Sequence, residues 1–485
     1  MERRISSDSE QAVIVQPVSL SDAYAVDLSL LHQRDPQRYP FLLESVAKGH
    51  LGRYDILFAF PQETLQLGSG ADRDAMAAFT ATAKQAFEAH TQPDIRCDLP
   101  FHGGWFAYFS YDYAQVVEPS LQVPPSRFPL ATLTRVPAAV VRDHHNQAVF
   151  IVAEAEYRQQ IAEIEADLQV ISTQPIPHTP IQILEAQEEE EAKYLSGVEA
   201  IKEYILAGDV FQVNLSRQWQ VSLASEYSNL DVYRALRRHN PAPFAALAHF
   251  DMAHADQEQV TTFGQNDFQQ AWSIISSSPE RLVKYQAPWV ETRPIAGTRK
   301  RDADQTKDRA LVEELISHPK ERAEHIMLID LERNDLGRIC QPGTVEVNEL
   351  MVVESYEHVH HIVSNVRGQL QPGLDPLDIV HALFPGGTIT GCPKVRCMEI
   401  IAELEQMPRE AYTGSLGYIN RDGSLDLNIL IRTMLHFQDE QNAPVVQFRA
   451  GAGIVADSDP QNELTETRHK AKGLIHALSS QERFR

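Results

Sequence analysis

Cysteine is scarce: four in 485 residues, namely Cys97, Cys340, Cys392 and Cys397. Their spacing supports neither a disulfide framework nor a zinc site. Cys392 and Cys397 stand five positions apart with no histidines at ligand spacing, so reduced cytosolic thiols are expected. Long apolar runs are also missing; none approaches the roughly 20 residues that span a bilayer. The first residues, Met1 to Ile5, lead into polar sequence instead of an apolar signal core. These absences predict a cytoplasmic protein with no membrane partner. Basic excess is absent too, since 43 Lys and Arg face 67 Asp and Glu for a net charge of −24. That excludes nucleic acid and anionic membrane as partners, because both need basic surface. A small anionic substrate remains open, because a divalent cation and a few cationic side chains reverse a local potential.

What is present is ordinary globular composition, 43% apolar and 23% charged, long enough for several domains or one large α/β body. No repeat of short period interrupts it. Up to about residue 171, strand-like runs such as Ala138–Val141 and Val149–Val152 accompany a helix expected over Asp72–His90. Gly103 to Tyr108 reads as a strand entered through a glycine turn. Residues 172–188 read as a linker, rich in Pro, Thr and Gln and ending in an acidic run. The acids Glu188 to Glu191 suit the first turn of a helix. That helix is carried by Val198, Ile201, Ile205 and Leu206 and stops at Gly208. A strand follows from Val210 to Leu215, and the region 189–480 then alternates strands with helices.

Three segments carry chemistry. Glu321 and Glu324 stand three apart on one expected helix, and Glu463 and Glu466 on another; i and i+3 share a helix face. Such oxygen pairs suit Mg²⁺, which keeps several waters and takes one or two carboxylates with an anionic substrate. They equally suit a solvated helix face. Phe384 to Lys394 is a glycine-rich turn opening a helix, which could cradle an anion on free N–H groups or be a plain Gly/Pro turn. It is no nucleotide P-loop, because proline separates Gly391 from Lys394.

Taken in order, these segments resemble the chorismate-utilising synthases: anthranilate synthase component I, aminodeoxychorismate synthase component I, and the isochorismate and salicylate synthases. The stretches that carry the resemblance are Ser278-Pro279-Glu280-Arg281, Pro294-Ile295-Ala296-Gly297-Thr298, Arg322-Ala323-Glu324-His325, Asp330 to Asp335, and His361 to Ser364. The Phe384–Lys394 turn, Gly414 to Tyr418, Ile431 to Thr433 and Gly451 to Lys470 complete it. The resemblance implies an α/β (α+β) fold, one intimately packed body with sheets sandwiched between helices and the active site in its C-terminal half. It also implies Mg²⁺ held by Glu324 and Glu466, with Glu321 and Glu463 on its waters. Glu280 would be the acid that helps the C4 hydroxyl leave, in a catalytic group with Thr298 and His361. Gly297, Thr388, Tyr412, Arg432, Gly451, Gly453 and Lys470 would bind chorismate. For His361 a satisfied core histidine is the other reading.

Between branches the residues disagree. Gln212 to Ser216, Asn240 to Phe244 and Gly386 to Gly391 are similar to the aminodeoxychorismate branch. That branch places lysine where Ala296 stands, whereas alanine there is similar to anthranilate synthases. The expected reaction is therefore amination of chorismate at C4, with anthranilate formation as the alternative. Lysine-based hydration to isochorismate is disfavoured, and a non-catalytic tryptophan- or chorismate-sensing homologue is a minor alternative. No cysteine sits in a nucleophile-elbow context, so ammonia is expected from a separate glutamine amidotransferase subunit. Leu42 to Ser45 is similar to an element lining a tryptophan pocket. Glu44, Ser45, Pro241, Pro243 and Phe244 would line such a pocket, unless they form an ordinary strand and turn.

Overall fold

The computed structural model describes residues 12–19, 23–47, 52–176, 179–224, 227–251, 259–356 and 359–479. Met1 to Ile5 lie outside them. Strand periodicity dictates the architecture. In Gly104–Phe109, Trp105, Ala107 and Phe109 face one way and Phe106 and Tyr108 the other, and all five are buried. A strand buried on both faces must lie between two layers.

Two sheets result. The first has twelve strands, in the order Val13–Pro17, Ala148–Glu154, Ala138–Asp143, Tyr54–Ala59, Phe41–Glu44, Phe244–Phe250, Trp272–Ser278, Thr433–Gln438, Pro444–Ile454, Gln212–Leu223 and Gly391–Cys392, with Ile183–Glu188 added on Gln212–Leu223. The second has eleven, in the order Val260–Phe263, Thr64–Leu67, Ala131–Val136, Gly104–Phe109, Ser415–Asn420, Leu425–Asn428, Arg281–Gln286, Trp289–Thr292, Val359–Gln369 and Ile295–Lys300, with Glu346–Ser355 on Val359–Gln369.

The sheets pack face to face through aromatic side chains. Phe41 of the first stacks on Phe106 of the second at 4.0 Å between ring centroids, and Trp272 of the first meets Tyr108 of the second edge-on at 5.7 Å. Offset stacking adds to the area that these rings remove from water. Helices Ser29–Arg34, Arg158–Ile171, Asn229–His239 and Pro460–Leu478 bury their apolar faces on the outside of the first sheet. Arg73–His90 and Pro376–Leu383 pack on the second sheet, and Glu191–Ala207 and Lys394–Glu405 on strand Gln212–Leu223 of the first. The result is the expected mixed α/β body of sheets between helices. Both ends of the chain supply both sheets: Leu42 pairs with Leu247, and Trp105 with Ile419.

Local signals account for several boundaries. Asp72 accepts from the Ala75 amide at 2.9 Å and caps Arg73–His90. Gly208, at φ +84°, ends Glu191–Ala207 in the left-handed conformation that glycine adopts without steric cost. Two expectations need correcting. The linker read over 172–188 ends in the strand Ile183–Glu188, whose only buried side chain is Ile183, so its pattern gives no alternation to read. Leu206, read as part of the buried helix stripe, is 77% exposed in the last turn, where the helix has run past its support.

One buried ionic network ties the C-terminal half together. Glu405 accepts from Arg409 Nη2 at 2.7 Å, Arg449 Nη2 at 2.9 Å and the Ser216 amide at 2.8 Å. Arg409 also donates to the carbonyls of Ile389 and Asn214, at 3.1 and 2.6 Å. Removing the carboxylate leaves two guanidinium groups buried without a counter-charge, which costs about 3–5 kcal/mol. E405Q should therefore lower the denaturation midpoint in urea far more than E313Q, a change on an exposed helix face. Equal midpoints would show that the network is not structural.

Candidate active site

The two carboxylate pairs sit where the sequence puts them, near helix starts. Pro319–Gly337 opens with proline at its first turn and carries Glu321 and Glu324. Pro460–Leu478 is capped by Asp459, which accepts from the Asn462 amide at 2.9 Å, and carries Glu463 and Glu466. Glu321 pairs with Arg299 at 2.7 Å, Glu466 with Lys470 at 2.6 Å, and Glu324 accepts from Gln212 Nε2 at 3.3 Å. Glu321 Oε2 is buried without a hydrogen-bond partner. Among the described residues these side chains do not converge into a cluster with metal-binding geometry. Their chemistry nonetheless fits a hard divalent cation: oxygen donors only, on two helices, one of them with an orphaned buried oxygen.

Glycines bring backbones close around this gap. Gly297, at φ +69°, lies so near Glu321 that a methyl group there would come within 2.1 Å of Oε2. Gly451 and Gly453, on strand Pro444–Ile454, face Asn214 and Gln212 of the neighbouring strand. A methyl group on Gly451 would meet Asn214 Oδ1 at 2.7 Å and Tyr412 Oη at 2.9 Å. Lys470 donates to the Gly451 carbonyl at 3.0 Å. Arg432 is half-buried with φ +54°, a strained conformation for a side-chain-bearing residue, and stands in electrostatic range of Tyr412, Glu466 and His361. Among the described residues it makes no salt bridge, which leaves a guanidinium available to an anion.

A second group, Glu280, Thr298, His361 and Thr388, joins this one through Arg432, which lies in electrostatic range of both His361 and Glu466. His361 and Thr298 pair across antiparallel strands, with Nδ1 and Oγ1 2.8 Å apart. Burial pushes the imidazole down to about 4, so it is neutral at pH 7. Glu280 follows directly on Trp272–Ser278 and is buried; burial lifts its carboxyl to about 7, against the pull of the Thr388 hydroxyl and the Ile295 amide. Glu280 Oε1 and Thr388 Oγ1 have no hydrogen-bond partner.

The glycine turn opens a helix, as expected. The helix begins at Lys394, whose neighbour Pro393 is the cap, and Gly391–Cys392 pairs with Gln212 and Val213. Gly391, at φ +134°, lets these backbones meet: a methyl group there would lie 2.0 Å from the Gln212 carbonyl. Besides leading into the helix, the turn brings its backbone close to that of Gln212.

The five residues read as a tryptophan pocket divide between two spaces. Glu44 and Ser45 line both, whereas Pro243 and Phe244 line a cavity of about 100 Å³ and Pro241 an outer cleft of about 990 Å³. The Ser45 hydroxyl donates to the Tyr54 carbonyl at 2.9 Å, and Glu44 is held by Arg237 at 2.8 Å. The wide clefts on this side of the molecule lie away from Glu280 and His361.

Sequence reasoning missed Arg299, which neutralises Glu321, and the contact of Gln212 with Glu324. Both sit on strands flanking recognised motifs, and only the pairing register reveals what they touch.

The chain matches the chorismate binding enzyme family over residues 38–476. An anthranilate synthase component I-like protein of Synechocystis sp. is 39% identical, over 88% of this chain and 83% of its own length. Aminodeoxychorismate synthase component 1 of Bacillus subtilis is 38% identical over 92% of this chain and 93% of its own. Anthranilate synthase component I from Streptococcus pneumoniae superposes with a TM-score of 0.71 at 30% identity, covering 96% of this chain and all of that one. Similarity of this extent, along almost the whole chain, makes this protein a member of the chorismate-binding family and a chorismate-utilising enzyme.

Proposed function

We propose that the protein is the chorismate-aminating component of an aminodeoxychorismate synthase, making 4-amino-4-deoxychorismate from chorismate and ammonia. Asn214 carries the reading. Its buried carboxamide oxygen stands without a partner beside Gly451 and Tyr412, a polar wall where the anthranilate branch tends to carry valine. The resemblance to the Bacillus subtilis relative along the full chain is consistent with it.

Arg432, Lys470 and the Tyr412 hydroxyl hold the substrate carboxylates, with the glycines leaving room for them. Glu324 and Glu466 would bind Mg²⁺, with Glu321 and Glu463 on its waters. When bound, the metal neutralises a carboxylate and so stabilises the charge that develops on bond cleavage. Glu280, protonated through burial, donates to the C4 hydroxyl, a poor leaving group unless it departs as water. Neutral His361, fixed by Thr298, and Thr388 form the wall against the ring. Ammonia, supplied by a separate amidotransferase subunit, is the nucleophile.

Anthranilate synthesis is the second reading, favoured by Ala296 in Ile295–Lys300, where no amine is present to attack C2. Chorismate, ammonium and Mg²⁺ with the pure chain should give a product that forms 4-aminobenzoate only after an aminodeoxychorismate lyase is added. Blue-fluorescent anthranilate would overturn the proposal. Glutamine should not replace ammonium, and chelation should stop turnover.

The acid role has its own signature. Glu280 must be protonated, so kcat/KM should fall as pH rises through about 7. E280Q should lose about 10²–10⁴-fold in kcat, as a missing general acid does. A flat profile between about pH 6 and 9 would remove Glu280 from the chemistry.

Tryptophan would bind near Ser45 and Phe244, where a cavity of about 100 Å³ has to widen to take an indole. Isothermal calorimetry should give saturable heat; no heat would leave these residues as an ordinary strand and turn.

A further inference from the structure

One wall of the site is held from the N-terminal region, outside the half of the chain that carries the chemistry. Strand Gly104–Phe109 runs antiparallel to Ser415–Asn420, with Phe109 opposite Ser415. The residues that follow the first strand therefore lie against those that precede the second. The approach is close: a methyl group on Gly414 would run into the Phe109 carbonyl. Three consecutive buried residues, Tyr111, Asp112 and Tyr113, fill this junction.

Each of the three grips a different piece of the wall. The Tyr111 amide donates to the Glu410 carbonyl at 2.8 Å, and the Arg409 guanidinium lies over the Tyr111 ring. The Asp112 carboxylate, 1% exposed, accepts from the Glu410 amide at 2.9 Å and more weakly from the Arg409 amide at 3.4 Å. The Tyr113 hydroxyl and His381 Nε2 are 2.9 Å apart, and the Tyr113 ring meets Phe384, which opens the glycine turn, edge-on at 6.0 Å. Glu410 and Thr413 have φ of +52° and +62°, left-handed conformations that side-chain-bearing residues keep only where their surroundings impose them. For Glu410 three bonds do so: those with Tyr111 and Asp112, and one from Gln447 Nε2 to its own carboxylate at 2.8 Å. Tyr412 lies inside this strained turn, with its hydroxyl 2.9 Å from the place a methyl group on Gly451 would take.

We propose that Asp112 is a positioning residue for Tyr412: its carboxylate binds the two successive amides that set the turn on which the substrate-facing hydroxyl is carried. This rests on the reading of Tyr412 as a substrate ligand. The two oxygens of an ionised carboxylate only accept, so both can take an amide at once. Asparagine, of the same size, would turn an NH₂ donor toward one of those amides. Without the hold, Glu410 relaxes out of the left-handed region and Tyr412 leaves its place beside Gly451. The loss falls on the grip on the substrate and spares the acid, because Glu280 follows a different strand, Trp272–Ser278. Chorismate KM should then rise while kcat is kept.

The test is a double-mutant cycle read on chorismate kinetics with ammonium and Mg²⁺. It is run at about pH 8, above the value of about 7 to which burial lifts the Asp112 carboxyl. D112N should raise KM for chorismate about tenfold and leave kcat within about threefold. Y412F should raise KM about as much, and D112N/Y412F should add little to either, because both remove one interaction. Effects that multiply to about a hundredfold, a loss confined to kcat, or a lowered denaturation midpoint with unchanged KM would each overturn the proposal. Should D112N not fold, D112E takes its place: it keeps the charge and both oxygens on a longer arm, and KM should shift the same way. An unchanged KM in D112E would count against the proposal equally. A wild-type KM in Y412F would instead sink the reading of Tyr412 as a substrate ligand. The crystal structure of D112N then decides the positioning: Tyr412 Oη should have moved from Gly451, and an unmoved hydroxyl would overturn it.

Discussion

A carboxylate with no exposed surface, Glu405, determines where the rest of the site stands. It neutralises Arg409 and Arg449, and Arg409 spends its remaining donors on the carbonyls of Asn214 and Ile389. Those carbonyls belong to the strand facing Gly451 and to the glycine turn around Thr388. The Arg409 guanidinium also lies over the Tyr111 and Tyr412 rings, at 4.8 and 5.6 Å. One planar cation with five donors in a fixed fork therefore sets three pocket walls relative to one another, which a lysine could not do. Such a network is a costly way to gain stability, because desolvation opposes the ion-pair energy. Its return is precision: wall positions are fixed by directional bonds instead of by packing alone.

The site itself is a balance of charges in a body that carries −24 overall. On the proposed reading a dianionic substrate enters among Glu321, Glu324, Glu463 and Glu466, and among the described residues Arg299, Lys470 and Arg432 are at hand to offset them. That shortage is why a divalent cation suits the gap, and why the opposite wall is neutral. Burial holds His361 uncharged and lifts the Glu280 carboxyl to about 7. On the proposed reading, water exclusion does two jobs with one physical cause: it strengthens the cations that would grip the substrate and tightens the acid's hold on its proton.

Much of this was legible in the sequence, for local reasons. Glu321 with Glu324 and Glu463 with Glu466 share faces because a helix repeats every 3.6 residues. Gly208 ends a helix because φ +84° favours glycine. Asp72 caps one because its oxygen meets a free amide. The hidden parts are those that depend on a partner distant in sequence. Nothing near Leu42 announces Leu247, and nothing near Trp105 announces Ile419, so the mixing of both chain ends in both sheets could not be read. Periodicity reports that a side is buried and not what buries it. The same limit hid the Gln212–Glu324 contact and the close backbone approach at Gly391.

Ala296 shows why regiochemistry is hard to read from a fold. It is buried opposite Ile362, next to the irregularity that turns Gly297 toward Glu321. A lysine there would bring an amine to the substrate and make C2 the point of covalent attack; alanine brings nothing. Without that covalent step, the site of amination is set by where ammonia is held relative to the ring. On the proposed reading, acceptor atoms such as Asn214 Oδ1 and the departure of the C4 hydroxyl toward Glu280 decide the outcome together. Positioning of this kind can supply a large part of a barrier, because it removes translational freedom before the reaction begins. The absence of lysine is therefore compatible with C4 amination and shifts its burden: the pocket has to do by placement what an amine would do by bonding. In this chain the Glu405–Arg409 bracket, which holds the Asn214 strand against the Thr388 turn, is the part of the fold able to carry that load.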